Sequence, residues 1–365
     1  VSERARILLL SPLPPPSGGI SNWTAAVLAS DLAERFELRV ASSSPANSGE
    51  VAGASRPSLS RALDVPRILG RFVLELARFR PQAVHVNTSF FWGFLRDGAA
   101  VWLAKLAGAR VLLHLRGGDF PEWVDGLTAL PRRLVLATLR RADCVVALTR
   151  PTERWLVDRV GTERVRYLPN FVALGAEPAP RDPARRPVEL VFVGWRIAAK
   201  GVRELLEALP EVPGARLTLI GPEEPSFSTE IAPLVRALGE RVRVLPAQPR
   251  DEIERAMRAA DVFVLPTWRE GFPNVVVEAM GAGLPVVATP VGAIPEIVVP
   301  EQTGLLVPVR DASALREALA RLVANAGLRE RMGRAGRARA AELFVRDAVL
   351  SHLAAIWSEA HGRPK

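Results

Sequence analysis

The sequence predicts an α/β protein of two domains, each a parallel sheet wrapped by helices. Three observations predict it. Short apolar runs rich in Val, Ile and Leu alternate with stretches of helical periodicity along the chain. The 365 residues suffice for two domains of ordinary size. A Pro-, Ala- and Arg-rich stretch at 175–187 (GAEPAPRDPARRP) divides the alternation into two halves and reads as a linker.

Composition narrows the class. A hydrophobic content of 48% and a charged content of 24% are those of a soluble globular chain. No uncharged apolar run reaches the length of a membrane span. The apolar run 7–10 is too short for a signal-peptide core and reads as a first strand, so a cytoplasmic location is expected. Cys144, in the run CVVAL, reads as a buried structural thiol, and a single cysteine permits no disulfide framework. The net charge is +9, and only Lys105, Lys200 and Lys365 among the 48 basic residues are lysines. The arginines are scattered without interleaved aromatics, which argues against nucleic acid. A positive surface of this kind either attracts anionic lipid or is simply solvated.

In the first half, strands are expected at 5–10, 37–41, 83–87, 110–115, 144–148 and 164–168. Helices are expected near 20–34, 61–79, 94–107, 128–141 and 151–160. In such an open sheet the carboxyl ends of the strands face the ligand crevice. The loop after the first strand ends in Gly18-Gly19, which permits close backbone approach at a helix start, or serves as a plain turn. It lacks the G-x-G-x-x-G pattern, which argues against a dehydrogenase. The segment 43–60 is rich in Ser, Ala and Gly and reads as a flexible loop. His85 (Val-His-Val-Asn) and His114 (Leu-His-Leu-Arg-Gly-Gly-Asp-Phe) fall at strand ends. That placement raises both above a satisfied core histidine, and Gly117-Gly118-Asp119 favours His114. Asp119 is read as an acceptor-orienting or proton-receiving group, or as a loop cap.

In the second half, a strand at 188–193 leads into Gly194-Trp195-Arg196-Ile-Ala-Ala-Lys200-Gly201 and a helix to 209. A loop that supplies cations at a helix N-terminus stabilises the charge on a departing diphosphate. Further strands are expected at 216–220, 241–245, 261–265, 285–288 and 304–307. Gly221-Pro-Glu-Glu follows one of them and is placed to approach a base. A helix near 344–360 carries Leu350, Leu353, Ile356 and Trp357 at helical spacing.

The stretch 260–295 organises this half. Its strand 261–265 and polar turn 266–271 lead to a helix from Pro273, a residue suited to the first helical position. The N-terminus of that helix is an anion site. Glu270 lies just before it and Glu278 within it. Either both are solvated charges, or both accept hydrogen bonds from hydroxyls on the two sides of a diphosphate. A nucleotide sugar has that layout.

Glu270-Gly271-Phe272-Pro273-Asn274-Val275-Val-Val-Glu278-Ala-Met, followed by Gly-x-Pro-Val-Val-Ala-Thr, resembles the E-x7-E signature of retaining glycosyltransferases of family 4. The resemblance extends over nearly the whole chain. It implies the GT-B fold: two Rossmann-like domains, a deep interdomain cleft and a C-terminal helix crossing back. The implied acceptor domain is 1–172 with helix 344–365. The linker is 173–187 and the donor domain 188–343. Carried across, Glu270 contacts the donor sugar, Glu278 binds ribose, and Gly271 to Val275, including Phe272 and Asn274, offer amides to the donor. Gly194 and Lys200 match the family's cation loop. Trp195 stands where the family has an arginine, with Arg196 one residue later as the candidate second cation. Gly18 and Gly19 face donor phosphate or acceptor. His114 sits near the reacting centre, with Arg116 where a second histidine sometimes occurs, and His85, Asp119 and Asn170 lie on the acceptor side. Pro169-Asn170 resembles the family's hinge Pro-Asn-Gly, with Phe171 replacing the glycine. Glu296 matches a Gly-x-x-Pro-Glu segment read as structural. The resemblance further implies no cofactor and no metal, a UDP- or GDP-linked sugar as co-substrate, and a glycan, lipid-linked or small-molecule acceptor. Peripheral contact with the inner membrane face is a further expectation. A GT-B nucleotide-sugar epimerase and a catalytically silent sugar-nucleotide-binding or glycan-binding subunit are the rival readings.

Overall fold

The computed structural model describes residues 4–15, 18–44, 59–178, 181–182, 184 and 186–362. Most of the expected loop 43–60, namely 45–58, lies outside them. The chain divides into two compact units, Val1–Asn170 with Val349–Lys365, and Phe171–Ala348.

The first unit holds β1 (Arg6–Ser11), β2 (Glu37–Ser42), β3 (Ala83–Thr88), β4 (Arg110–Leu115), β5 (Cys144–Ala147) and β6 (Val165–Tyr167). Their order is β2-β1-β3-β4-β5-β6, and every pair is parallel. Leu8, Leu10, Val84, Val86, Val111 and Leu113 are fully buried in its core. Burial on both faces is why these strands read as continuous apolar runs rather than alternating ones.

Three expectations need correction here. The helix expected over 20–34 is two helices, Gly19–Leu28 and Leu32–Arg35. The segment after Asp119 is a helix, Phe120–Asp125, opened by Pro121 in its first turn. Six residues are too few to show a period. Cys144, expected buried, is half-buried at the start of β5.

The helix Arg346–Gly362 contributes its later turns to the first unit. Trp357 is fully buried, meets Phe36 edge-on at 5.3 Å and donates Nε1–H to His85 Nδ1 at 2.9 Å.

The second unit holds β7 (Val188–Val193), β8 (Ala215–Ile220), β9 (Val242–Leu245), β10 (Val262–Leu265), β11 (Val286–Ala288) and β12 (Gly304–Leu306). Their order is β12-β11-β10-β7-β8-β9, again all parallel. The chain winds outward from β7 to β9, then returns to β7's other side and winds away through β12. The loops after β7 and β10 therefore start side by side at the point of reversal, where open sheets of this type bind ligands.

Those two loops are locked together. Trp268 N–H donates to the Ala199 carbonyl at 2.8 Å, and Thr267 Oγ1 to the same oxygen at 3.1 Å. Gly201 has φ +69°, and a Cβ there would stand 2.0 Å from the Pro266 carbonyl oxygen. Gly214 has a similar φ of +77° with open space around it.

This contrast makes a prediction for chemical denaturation. Gly214→Ala should cost about 1 kcal/mol for its left-handed backbone alone, and Gly201→Ala at least about 1 kcal/mol more for the added clash. Equal midpoints would show that the two loops do not depend on this approach. In the first unit, Trp357→Ala should cost about 3–5 kcal/mol by the same measurement, from cavity formation and an unpaired His85 nitrogen.

Candidate active site

In the second unit, Lys200 ends the short turn Ala198–Lys200 after β7, and Glu270 lies in the loop after β10. Strand reversal sets them beside each other, and Lys200 Nζ donates to Glu270 Oε1. Their side chains are 21% and 15% exposed, so both remain reachable from solvent. Gly292, at φ +56°, packs under this loop. A Cβ there would stand 2.1 Å from the Glu270 carbonyl oxygen, and Ala293 N–H holds the Gly271 carbonyl at 2.8 Å.

The helix Asn274–Gly281 follows, with Pro273 as its N-cap rather than its first residue. The correction shifts the helix by one position. Val276 N–H is taken by the Pro273 carbonyl at 3.0 Å. Asn274 and Val275 contribute N–H groups of the first turn, which helical bonding alone does not satisfy. Glu278 is four residues after Asn274, on the same helix face and one turn along. Its side chain is 30% exposed, and Arg250 Nη2 lies 3.5 Å from it. Burial raises the Glu278 carboxyl above the usual range. The Arg250 charge opposes the shift and the Glu254 charge adds to it. Phe272 is buried and meets Phe344 edge-on at 5.7 Å, which fixes the chain between Gly271 and the helix.

Arg196 does not join this group. It is 3% exposed, and its Nη1 donates to the Gly221 and Leu245 carbonyls, each at 2.6 Å. Its Nη2 donates to Glu223 Oε2 at 2.5 Å. Hydrogen bonds from Ser228 and then Arg196 hold the Glu223 carboxyl below its ordinary range. The expected second cation is thus a clamp between the ends of β8 and β9, and Glu223 is its counter-ion. Gly194 and Trp195 stay half-buried in the same loop.

Two supporting side chains carry no sequence signal. Glu204 is 8% exposed and accepts Trp268 Nε1–H at 2.9 Å, which ties the helix after Lys200 to the loop before Glu270. Thr289 donates its hydroxyl to the Thr267 carbonyl and holds the same loop from β11. A glutamate in a helix's first turn reads as a surface residue until its partner is known.

In the first unit, the structure joins three of the expected residues through Arg116. His85 Nε2 and His114 Nδ1 are 3.2 Å apart, Arg116 Nη1 is 3.3 Å from His114 Nε2, and Arg116 Nη2 donates to Asn170 Oδ1 at 2.7 Å. Trp23 packs on both histidine rings at 5.6 Å, and the Arg116 guanidinium lies 4.8 Å from the Trp23 ring centre. Both histidines are fully buried. Burial, then the Arg116 charge, pushes His85 down to about 3 and His114 well below its ordinary value. Burial also lowers Arg116, to about 9. The contacts agree with that direction. Trp357 N–H occupies His85 Nδ1 and an Arg116 N–H faces His114 Nε2, so the row is short of acceptors and every added proton worsens the shortage.

His114 was expected near the reacting centre. Here its ring nitrogens face His85 and Arg116. His85 lies within β3 rather than at its end. Asp119 opens the helix Phe120–Asp125 and stays half-buried. At the reversal point of this sheet, between β1 and β3, Asn87 Nδ2 donates to Ser11 Oγ at 3.1 Å, and Ser11 meets Thr24 at 2.5 Å. Gly18 caps the helix Gly19–Leu28 beside them, and a Cβ on Gly19 would meet nothing within 4 Å. Close packing therefore does not explain Gly19.

Comparison with known proteins agrees with this architecture. Residues 187–325 match the family described as Glycosyl transferases group 1, and residues 18–175 match Glycosyltransferase Family 4. The chain is 30% identical over 343 residues to the D-inositol 3-phosphate glycosyltransferase of Nocardia farcinica, covering 82% of this chain and 73% of that protein. It is 30% identical over 259 residues to the lipopolysaccharide core biosynthesis glycosyltransferase LpsE of Rhizobium meliloti, covering 70% and 74%. The match to the D-inositol 3-phosphate glycosyltransferase of Salinispora tropica, 30% identical and covering 74% of this chain, spans only 60% of that protein's length. Among solved structures, sucrose-phosphate synthase from Thermosynechococcus elongatus superposes with a TM-score of 0.77 at 22% identity, covering 98% and 99% of the two chains. Anabaena Alr3699/HepE in complex with UDP-glucose gives 0.72 at 17% identity, covering 97% and 99%. The fold is GT-B, and the chain belongs to glycosyltransferase family 4, among the group 1 glycosyl transferases.

Proposed function

We propose that this glycosyltransferase is a retaining, metal-independent enzyme that moves a hexose from a nucleotide-diphosphate sugar to a glycan, lipid-linked or small-molecule acceptor. Its setting is polysaccharide or glycoconjugate synthesis on the cytoplasmic side, in contact with the membrane surface. The observation that carries the reading is the Lys200–Glu270 pair, half-buried at the reversal of the second sheet and next to a helix N-terminus. UDP and UDP-glucose complexes of the HepE relative support a UDP-linked donor, with GDP the alternative.

The chemistry follows from charge. A diphosphate exchanges the Lys200–Glu270 contact for one between phosphate and ammonium. Amides of the helix Asn274–Gly281 share the charge that grows as the sugar leaves, with no metal or other cofactor in the scheme. Glu270, released from Lys200, accepts hydrogen bonds from the sugar, and Glu278 from the ribose. Gly194 and Gly271 let the backbone approach the donor. The acceptor is bound by the first unit, with Gly18 and Gly19 at its helix N-terminus and Asp119 and Asn170 as orienting groups. The acceptor hydroxyl attacks from the face that the diphosphate leaves, and the departing phosphate takes its proton, so the configuration at the anomeric carbon is kept. One observation favours a second reading. Arg196 is withdrawn into its clamp, which removes a cation from the loop and suits a silent binding subunit. An epimerase would consume donor without acceptor.

Lys200→Ala and Glu270→Gln should each lower kcat by about 10²–10³ while leaving the chain folded by circular dichroism. Normal turnover in either variant would remove the site, and no turnover in the wild type with any donor and acceptor pair would favour the silent subunit. Because the Glu278 carboxyl is raised, it is protonated at higher pH than an ordinary glutamate and loses its value as a hydroxyl acceptor there. On acidification, calorimetric nucleotide affinity should therefore begin to fall at a higher pH than an ordinary glutamate would cause, and Glu278→Gln should bind more weakly but with a flat pH response. Gly19→Ala should shift the unfolding midpoint by less than about 0.5 kcal/mol yet raise KM, since its Cβ enters open space. An unchanged KM would leave Gly19 as a turn residue.

A further inference from the structure

We propose that the outer face of the helices Trp92–Leu106 and Ala129–Arg141 docks on an anionic lipid bilayer. The two helices are neighbours in the first unit, joined by Trp102 Nε1–H donating to Thr138 Oγ1 at 3.2 Å. Trp92, Leu95, Trp102, Leu106, Leu130 and Leu134 are each between 43% and 79% exposed. Five of them, all but Leu106, line one apolar depression of about 470 Å³ between the helices. A contiguous apolar patch of large side chains is uncommon on a soluble surface and marks a docking site.

Charge selects the occupant. Together the helices carry Arg96, Lys105, Arg132, Arg133, Arg140 and Arg141. Their one acidic residue, Asp97, is buried against Arg96. Asp143 neutralises Lys105, and Asp125 neutralises Arg132. Arg133, Arg140 and Arg141 meet no carboxylate among the described residues. Arg141 lies over the Trp102 ring, 5.5 Å from its centre, which places a cation beside an exposed indole. Exposed tryptophan and leucine rimmed by arginines that meet no carboxylate among the described residues fits the headgroup boundary of an anionic leaflet. A second copy of this chain would bring the same cationic face and be repelled. Among the described residues no helix is long and apolar enough to cross a membrane, so the contact is a surface one.

The inference rests on the membrane contact included in the proposed function and gives it a place, but it depends on neither donor nor acceptor, so its failure would leave the proposed transfer reaction standing. The test is flotation of the full chain with phosphatidylcholine vesicles, with and without phosphatidylglycerol. The wild type should float with the anionic vesicles, stay behind with neutral ones, and be released by high salt. Leu95→Glu with Leu134→Glu, and separately Arg133→Glu with Arg141→Glu, should each weaken the binding about tenfold or more, with unfolding midpoints near wild type. Failure of the wild type to float would overturn the proposal, as would variants that float as well as it does. A dimer in sedimentation velocity that the leucine variant dissolves, without vesicle binding by the wild type, would show that a second copy covers this face.

Discussion

The second unit is built around one ion pair across a strand reversal. Lys200 and Glu270 are seventy positions apart and come from opposite directions of winding. Only the order β10-β7-β8 sets their loops side by side. Three separate constraints then hold the loops: the Ala199 carbonyl shared by Trp268 and Thr267, the Gly201 approach to Pro266, and the Gly292 approach beneath Glu270. A half-buried pair is poor value as a stabilising device, because desolvation offsets most of its attraction. It is well suited to a site where a more highly charged ligand replaces one partner.

The first unit uses its buried polar groups differently. Trp357, His85, His114, Arg116 and Asn170 form a continuous row from the C-terminal helix to the end of the unit's first segment. The row has more donors than acceptors, and burial together with the Arg116 charge keeps both imidazoles neutral. A neutral, fully buried histidine cannot exchange protons with solvent, so the row fixes positions. Arg116, held by Asn170 and the Trp23 ring, is the charged end of it.

Much of this was legible in the sequence, and the failures have physical causes. The strands were readable because parallel strands buried on both faces are plain apolar runs, as in RILLLS and VELVFV. Glu270 and Lys200 could be singled out because each precedes a glycine at or just before a helix start, and Glu278 because it follows Glu270 by eight residues inside that helix. Arg196 was misread because sequence spacing records where a residue leaves the backbone, and its side chain turns to carbonyls on β8 and β9. His114 was correctly placed near the end of β4, while its full burial under Trp23, far away in the chain, had no sequence signal. Glu204 and Trp268 gave no signal, since each looks like a surface residue until the other is beside it. The arginines of the helices Trp92–Leu106 and Ala129–Arg141 were counted but could not be localised to one face, because two separate helices bring that face together.

The most direct test of the central claim is a thermal-shift titration with UDP, GDP and ADP on the wild type and on Lys200→Ala. A nucleotide at about a hundred times its dissociation constant stabilises the native state by about 2.7 kcal/mol, a readable shift. A diphosphate at Lys200 predicts a shift with one nucleotide, UDP or GDP, that is lost in the variant. An equal shift in both proteins would put the diphosphate elsewhere and contradict the account.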